Sequence, residues 1–343
     1  MSDSATIYKV AETADVSVRT VSRYLNDPSC VSKKTAALIV DAMNALQFRP
    51  SKAARALKGV KPDLLGVVSD RITTNPDSFE LIKGLQLAAK DLGKRLLIAE
   101  TGGIEEDTPA LFDELIEHRV DALIYATHFH RPVKASLLER AAGTRLVLLN
   151  CYVPRGEYPC VLPDDEQGAR IGLASLYAQG HTRVVVFELF PDMRATQLRR
   201  RGYLKAAHDA GVHEPVFVQG SLPPTPGDED EFSSIEATVG DVLKKHQPTA
   251  IVAGNDKMAA RIIQCLHKRQ VAVPGQVSVL GFDDHPMLVH ATDPLLTSVR
   301  LPYLQMGQSA ARLACDETRN GVVRVQCDVA TRASVAAAPR KKA

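Results

Sequence analysis

The chain has 343 residues, enough for two or three domains with a large core. Its formal net charge of +2 hides an asymmetry: the first 61 residues hold ten Lys/Arg against five Asp/Glu, so that stretch carries +5 and the remainder −3. A basic head on a slightly acidic body points to a polyanionic partner for the head alone, and no apolar run in the sequence approaches the roughly 18 residues a membrane helix needs. Six cysteines lie scattered without a CxxC pair, and the N-terminus is polar with no signal-peptide core, so free thiols in a cytoplasmic protein are expected.

The stretch Thr6–Leu25 reads as two short helices joined by a tight turn. Thr6 can cap the first, whose apolar positions Ile7, Val10, Ala11 and Ala14 follow helical spacing. Asp15-Val16-Ser17 breaks that pattern, and Ser17 can cap a second helix from Val18 with an apolar face (Val21, Leu25) and a polar one (Arg19, Thr20, Ser22, Arg23). Arginine pairs bidentately with guanine O6 and N7, and hydroxyls hold phosphates, so Val18–Leu25 has the composition of a helix for the DNA major groove. The same spacing also fits an ordinary helical hairpin with a solvated face. A third helix starts after Ser32 and buries Ala36, Ile39, Val40, Met43 and Leu46 over Val10, Val16, Val21 and Leu25, with Pro50 ending it. The basic segment Ser51–Lys58 is too short to be a stable helix alone and too polar for the core of the head. It is either a linker or an element that folds on a partner.

From Leu64 the rhythm changes. Apolar runs at 64–68, 96–99, 122–126, 146–149, 184–187, 216–218, 250–253 and 277–282 alternate with helical stretches at 79–92, 111–118, 167–178, 197–210 and 257–268. Near-continuous apolar strands between helices indicate parallel sheets covered on both faces, here as two lobes. Ligands of such sheets sit beyond the carboxyl ends of the strands. That rule selects Asp70 and Arg71, Thr127 and His128, Asn150, Glu188, Asn255 with Asp256, and Asp283 with Asp284, a polar set suited to a hydroxyl-rich small molecule between the lobes. Ser221–Ser234, rich in Pro and acids, reads as a mobile surface loop. The tail from Ala336 reads as disordered and lacks the leucine heptads of a tetramerising coiled coil.

With these motifs in place, the sequence resembles the LacI/GalR family of bacterial transcription regulators over nearly its whole length. The head carries the resemblance at Ile7-Tyr-Lys-Val-Ala11, Val16–Asn26, Val31-Ser32, Phe48-Arg-Pro50 and Ala53–Leu57. The body carries it at Asn75-Pro76, Asp121, Gly180–Arg183, Arg201-Gly-Tyr203, Asn255-Asp256, Val273-Pro274, Val277-Ser278 and Gly281–Asp284. The resemblance implies an all-α helix-turn-helix head (1–49), a hinge helix and linker (50–63), and an α/β bilobal core like periplasmic sugar-binding proteins, made of two doubly wound parallel sheets. In that scheme the first lobe spans 64–163 and regains about 295–323, the second spans 164–294 and regains about 324–335, and 336–343 is tail.

The implied function is sequence-specific repression, as a homodimer on palindromic operator DNA, controlled by a small effector in the interlobe cleft. By position, Val18, Arg19 and Arg23 would read bases, while Tyr8, Ser17, Thr20, Ser22 and Asn26 would hold the DNA backbone. The hinge residues Ala54, Leu57 and Lys58 would enter the minor groove, with Leu57 wedged into a base step; unstacking costs a few kcal/mol per step, offset by the contacts that a bend permits. Effector contacts would come from Asp70, Arg71, Ser78, Thr127, His128, Asn150, Arg199, Asn255 and Asp283. Three adjacent arginines leave the choice among Arg199, Arg200 and Arg201 open.

The chain departs from the family at Asp77-Ser78, where many members have aromatics, and at Cys151, where the purine-responsive branch can have a stacking tryptophan. The chain has no Trp at all. A sugar or sugar acid is therefore the expected effector, with Arg71, His128 and Arg131 favouring an anionic one. A nucleoside-responsive regulator and a sugar receptor without DNA function are the alternatives. No GxGxxG, P-loop, GxSxG or HExxH motif occurs, so neither an enzyme nor a bound cofactor is expected. His128-x-His130 lacks further ligands at metal-binding spacing, so no metal is expected either.

Overall fold

The computed structural model describes residues 6–48, 63–156, 158–221 and 230–339, with only the backbone of Asp77. The hinge residues Ala54, Leu57 and Lys58, together with Pro50, lie outside the described residues. Two compact units divide the chain at Pro62/Asp63.

The first unit holds α1 (Ile7–Thr13), α2 (Val18–Asn26) and α3 (Lys33–Ala45). Each helix begins on the hydroxyl expected for it: the Oγ atoms of Thr6, Ser17 and Ser32 accept from the backbone N–H of Lys9, Thr20 and Thr35. Val10, Ala11, Ala14, Val21, Ile39 and Ala42 form the buried core. Val40, expected inside, is exposed: its place on the helix falls outside the Ile39/Ala42 stripe. The end of α3 is local, with Gln47 in the left-handed region (φ 49°) and the Phe48 N–H returning to the Met43 carbonyl, so the helix stops before Pro50.

The second unit contains two six-stranded sheets. The first comprises β1 (Leu64–Asp70), β2 (Arg95–Glu100), β3 (Ala122–Pro132), β4 (Leu146–Tyr152), β5 (Cys160–Pro163) and a late strand β11 (Val322–Val325), in the order β11-β5-β4-β3-β1-β2, all parallel. Alternate residues along each strand serve opposite faces. Ile124, Val147 and Leu149 pack towards α4 (Phe79–Asp91) and α11 (Tyr303–Cys315), whereas Leu123, Tyr125 and Leu148 pack towards α5 (Thr108–Glu117). This two-sided burial explains why these strands are apolar throughout.

The second sheet comprises β6 (Val184–Glu188), β7 (Val216–Gln219), β8 (Ala250–Ala253), β9 (Ser278–Asp283), β10 (Thr297–Arg300) and β12 (Asp328–Ala330), in the order β12-β10-β9-β8-β6-β7, with only the β10–β12 pair antiparallel. Helices α6 (Asp165–Ala178) and α7 (Arg194–Ala210) cover one face; α8 (Ile235–His246) and α9 (Asp256–Lys268) cover the other. A short α10 (Pro286–Val289) follows β9.

The chain passes between the lobes at Asp164, at Leu301-Pro302 and at Gln326-Cys327. The return to the first lobe thus begins after Arg300 rather than near residue 295, because Thr297–Arg300 pairs in register with Leu280–Asp283. Likewise the first lobe keeps the chain to Val325, which pairs with Pro163.

Two segments expected to be loose are packed where they are described. Ser221 and Phe232, flanking the acidic stretch, are buried, and Asp230 pairs with Arg261 at 3.0 Å. The Ala336 carbonyl accepts from His181 Nε2 (2.8 Å), its N–H donates to Ser278 Oγ (3.1 Å), and the Ala338 N–H donates to the Gln179 carbonyl (2.9 Å), so the tail is anchored at least to Ala338.

In the first lobe α4 and α11 cross at two glycines. A Cβ at Gly84 would collide with the Leu304 carbonyl oxygen, and one at Gly307 with the Leu81 carbonyl oxygen. The backbones therefore touch, and neither position has room for a methyl group. Either Gly84→Ala or Gly307→Ala is expected to lower stability by about 1–3 kcal/mol through overpacking. Urea melts check this, and a loss below about 0.5 kcal/mol, the usual range of a neutral surface change, would contradict the close crossing.

Candidate functional site

In the head, Asp15 takes the left-handed conformation (φ 50°) that α1 needs to stop and turn, and the Val16 N–H closes back on the Ala11 carbonyl at 3.0 Å. Ser17 then starts α2, its Oγ lying 2.8 Å from Thr20 Oγ1. Val21 is buried under this helix, which leaves Arg19 and Arg23, four residues apart, exposed on one outer face. Ser17, Asn26 and Tyr8 are also exposed, Tyr8 at 70%. Thr20 and Ser22 are half-buried, and Val18 packs partly against the core of the head. An exposed aromatic ring and two exposed guanidinium groups in one small head are the chemistry of a surface that meets a polyanion.

In the core, a cavity of about 410 Å³ opens between the lobes at the carboxyl ends of the strands. Six expected residues line it: Arg71, His128 and Asn150 from the first lobe, Arg199, Asn255 and Asp283 from the second. Three others stand behind its wall. Asp70 is held by Arg131 (2.7 Å), Ser78 is fully buried with its Oγ donating to the Asn75 carbonyl (3.3 Å), and Thr127 Oγ1 donates to the Phe129 and Asn150 carbonyls at 2.9 and 3.0 Å. These are supports, because their polar atoms are already spent within the protein.

The supports fix what faces the cavity. Asn150 sits at φ 61°, and its Nδ2 donates to the Thr127 carbonyl (3.1 Å), so β3 and β4 brace each other beside the cavity. Asn150 Oδ1 and His128 Nδ1 are buried and have no hydrogen-bond partner among the described residues. Burial also holds the His128 imidazole below its ordinary range, so at neutral pH the ring is uncharged. Asn255 caps α9 through Oδ1, which accepts from the Met258 N–H at 2.9 Å and leaves its Nδ2 as a donor. Asp256, next to it, is buried and accepts from Ser298 Oγ (2.6 Å) and the His285 N–H (2.7 Å), tying down the turn at Asp283 (φ 118°) and Asp284 (φ 57°).

The three arginines separate cleanly. Arg199 is 6% exposed; its Nε donates to Asp165 Oδ1 (2.9 Å), its Nη1 to the Gly254 carbonyl (2.6 Å), and its guanidinium lies 3.6 Å from the Phe282 ring centroid. Arg200 pairs with Glu188 at 2.9 Å and stacks on Phe217, while Arg201 reaches Glu166 at 3.0 Å on the surface. Arg199 is the cleft arginine. Its partner Asp165, unforeseen from the sequence, also accepts from His130 Nδ1 (2.9 Å) and is 1% exposed. Burial works against that carboxylate, yet Arg199 and His130 together hold it below the usual range.

Arg131 makes no wall of the cavity. It is committed to Asp70 and Glu105, so the expectation that it draws an anion into the cleft fails. The cavity's charged side chains instead balance, with Arg71, Lys257 and Arg199 against Asp165, Glu231 and Asp283. Phe129, Phe190 and Tyr303 add apolar faces. Among the described residues no group of three or more His, Cys, Asp and Glu could hold a metal ion, and no helix is long and apolar enough to cross a membrane.

Residues 6–51 match the model of the lacI family of bacterial regulatory proteins, and residues 173–335 match that of a periplasmic binding protein-like domain. The HTH-type transcriptional regulator GalR of Salmonella typhimurium is 33% identical over 311 residues, covering 90% of this chain and 88% of its own. The chain belongs to the LacI family. Other relatives include the sucrose operon repressor of Escherichia coli, 30% identical over 336 residues (96% of this chain, 99% of the relative), and the ribose operon repressor of E. coli strain K12, 28% identical over 307 residues (89% and 91%). Among solved structures, a LacI-family regulator from Rhizobium etli is 30% identical with a TM-score of 0.74 over 80% of this chain and 99% of its own. The lac repressor dimer bound to operator shares the fold at 22% identity, with a TM-score of 0.78 over 97% of this chain and 99% of its own. As a LacI-family member the chain is a DNA-binding transcription regulator, and the alternative of a sugar receptor without DNA function is set aside by the match over residues 6–51.

The buried pair makes a sharp forecast. Arg199→Ala strands Asp165 in the interior and is expected to cost about 3–5 kcal/mol, whereas Arg200→Ala, on the surface, should stay within about 0.5 kcal/mol. Thermal or denaturant melts of both variants check the contrast; equal losses would refute the assignment of Arg199.

Proposed function

We propose that this regulator is a repressor that binds a palindromic operator as a homodimer, and that a neutral, hydroxyl-rich sugar in the cleft controls its grip. The observation that carries the sugar reading is the pair of buried, unpartnered atoms in the cavity wall, Asn150 Oδ1 and His128 Nδ1. Unmet polar atoms at a cavity are costly unless a ligand meets them, and sugar hydroxyls both donate and accept. The even balance of charge in the wall supports an uncharged sugar over a sugar acid. The aromatic faces suit the C–H face of a pyranose or furanose ring. A stacked purine has less support: Cys151 is buried with its Sγ 3.7 Å from the Tyr125 carbonyl and does not line the cavity. The names of the sucrose and ribose repressors among the relatives point the same way.

In this proposal Arg71, His128, Asn150, Arg199, Asn255 and Asp283 meet the effector, with Arg199 positioned by Asp165. Arg19 and Arg23 read bases together with Val18, and Tyr8, Ser17, Thr20, Ser22 and Asn26 grip phosphates. The hinge residues Ala54, Leu57 and Lys58 keep the minor-groove role that the family resemblance implies.

A thermal-shift screen of neutral sugars, sugar acids and nucleosides tests the effector class. Stabilisation by one or a few neutral sugars is expected, and hits confined to nucleosides would overturn the reading. Selection from random DNA should yield a symmetric site, and on that site Arg23→Ala should cost about 1–3 kcal/mol of base discrimination in gel-shift titrations. Equal weakening on all sequences would reduce Arg23 to a backbone contact.

A further inference from the structure

A second cavity, of about 160 Å³, lies beside the cleft, where the segment after β4 faces the first turn of α7. The first lobe contributes Arg155, Tyr158 and, on β11, Arg324; the second contributes Arg194. His130 belongs to the walls of both cavities. None of these arginines pairs with a carboxylate among the described residues; Arg194 reaches the Gln197 side-chain oxygen at 3.3 Å. Three guanidinium groups round one cavity repel each other, and an anion between them removes that cost.

A separate observation points into the same pocket. His130 is 4% exposed and its Nε2 has no hydrogen-bond partner among the described residues. Its Nδ1 is committed to Asp165, which lines the cleft and not the second cavity. Tyr152, which packs edge-on against the His130 ring with 5.6 Å between centroids, lines the second cavity and not the cleft.

We infer that this pocket binds a phosphoryl group, as free phosphate or on a phosphate monoester, at a site distinct from the sugar cleft. A phosphoryl dianion presents three oxygens to several planar donor forks; a carboxylate presents two oxygens and half the charge. The anion ties Arg155 and Arg324 of one lobe to Arg194 of the other, and so favours one lobe angle over another. It also touches His130, whose opposite nitrogen holds the Asp165–Arg199 pair in the cleft. The pocket is therefore a second input to the same switch, with a coupling that must be reciprocal.

Equilibrium dialysis of the full-length protein tests this with radiolabelled orthophosphate and with glycerol 3-phosphate. Saturable uptake is expected, weakened about tenfold or more by Arg324→Ala and by Arg155→Ala, each removing a charge-assisted contact. Arg324→Lys should restore part of it. Both arginines are exposed, so these variants should melt like the parent protein. Uptake of both probes identifies free phosphate as a sufficient ligand, and uptake of the ester alone assigns the phosphoryl group to an organic monoester. Asn150→Gly, which empties part of the sugar cleft at a position already at positive φ, should leave phosphate uptake unchanged. Absence of saturable uptake would overturn the inference. So would uptake that survives Arg324→Ala but is lost in Asn150→Gly, since the anion would then sit in the cleft. Sugar titrations on the same variants keep the two readings separate: the arginine variants should bind sugar as the parent does, whichever way the phosphate result falls.

Discussion

The core depends on one buried carboxylate. Asp165 has both oxygens occupied, one by Arg199 of its own lobe and one by His130 of the other, with almost no water to share the charge. A lone carboxylate at that depth would be too costly to keep ionised; between two donors it is stable and directional. It orients the guanidinium that faces the cleft, and it is the polar stitch by which β3 of the first lobe meets α6 of the second. Phe282 beneath Arg199 and the Gly254 carbonyl beside it fix the remaining freedom of that side chain.

Strand ends supply the rest of the site, and they do so through backbone conformations that ordinary residues avoid. Arg71, Asn150, Asp283 and Asp284 all sit at positive φ, Asn150 within β4 and the others where the chain leaves β1 and β9. Asn and Asp tolerate this region better than most residues, which accounts for their presence at three of these four positions. The side chains behind them hold the turns in place: Thr127 braces Asn150, and Asp256 pins Asp283 and Asp284 through Ser298 and the His285 N–H.

Much of this was legible in the residues. Alternating apolar runs and helical stretches gave both lobes, and the three N-cap hydroxyls of the head fall where the pattern put them. The strand-end rule found five wall residues without any structure, and the family resemblance added the sixth, Arg199. The rule also selected Asp70 and Thr127, because position along a strand does not say whether a polar atom is already taken. Asp165 escaped notice since it opens a helix rather than ending a strand. The strands β5, β10, β11 and β12 were not visible as apolar runs: they are three or four residues long, and Val322–Val325 is an exposed edge. The helix α11 buries its small residues Gly307, Ala310, Ala311 and Ala314, which carry little hydrophobic signal however tightly they pack.

The three passages of the chain between the lobes have a mechanical consequence. Parallel short tethers leave two rigid bodies little freedom except rotation about a line through the tethers. Asp165 follows the first passage immediately and Leu301, at the second, is part of the cavity wall. The ionic stitch thus sits near the pivot, where the lever arm is short and a given rotation displaces atoms least. Residues farther from the tethers travel more for the same angle. A ligand gripped only at the pivot is held alike in either posture, whereas one that reaches away from it distinguishes the two.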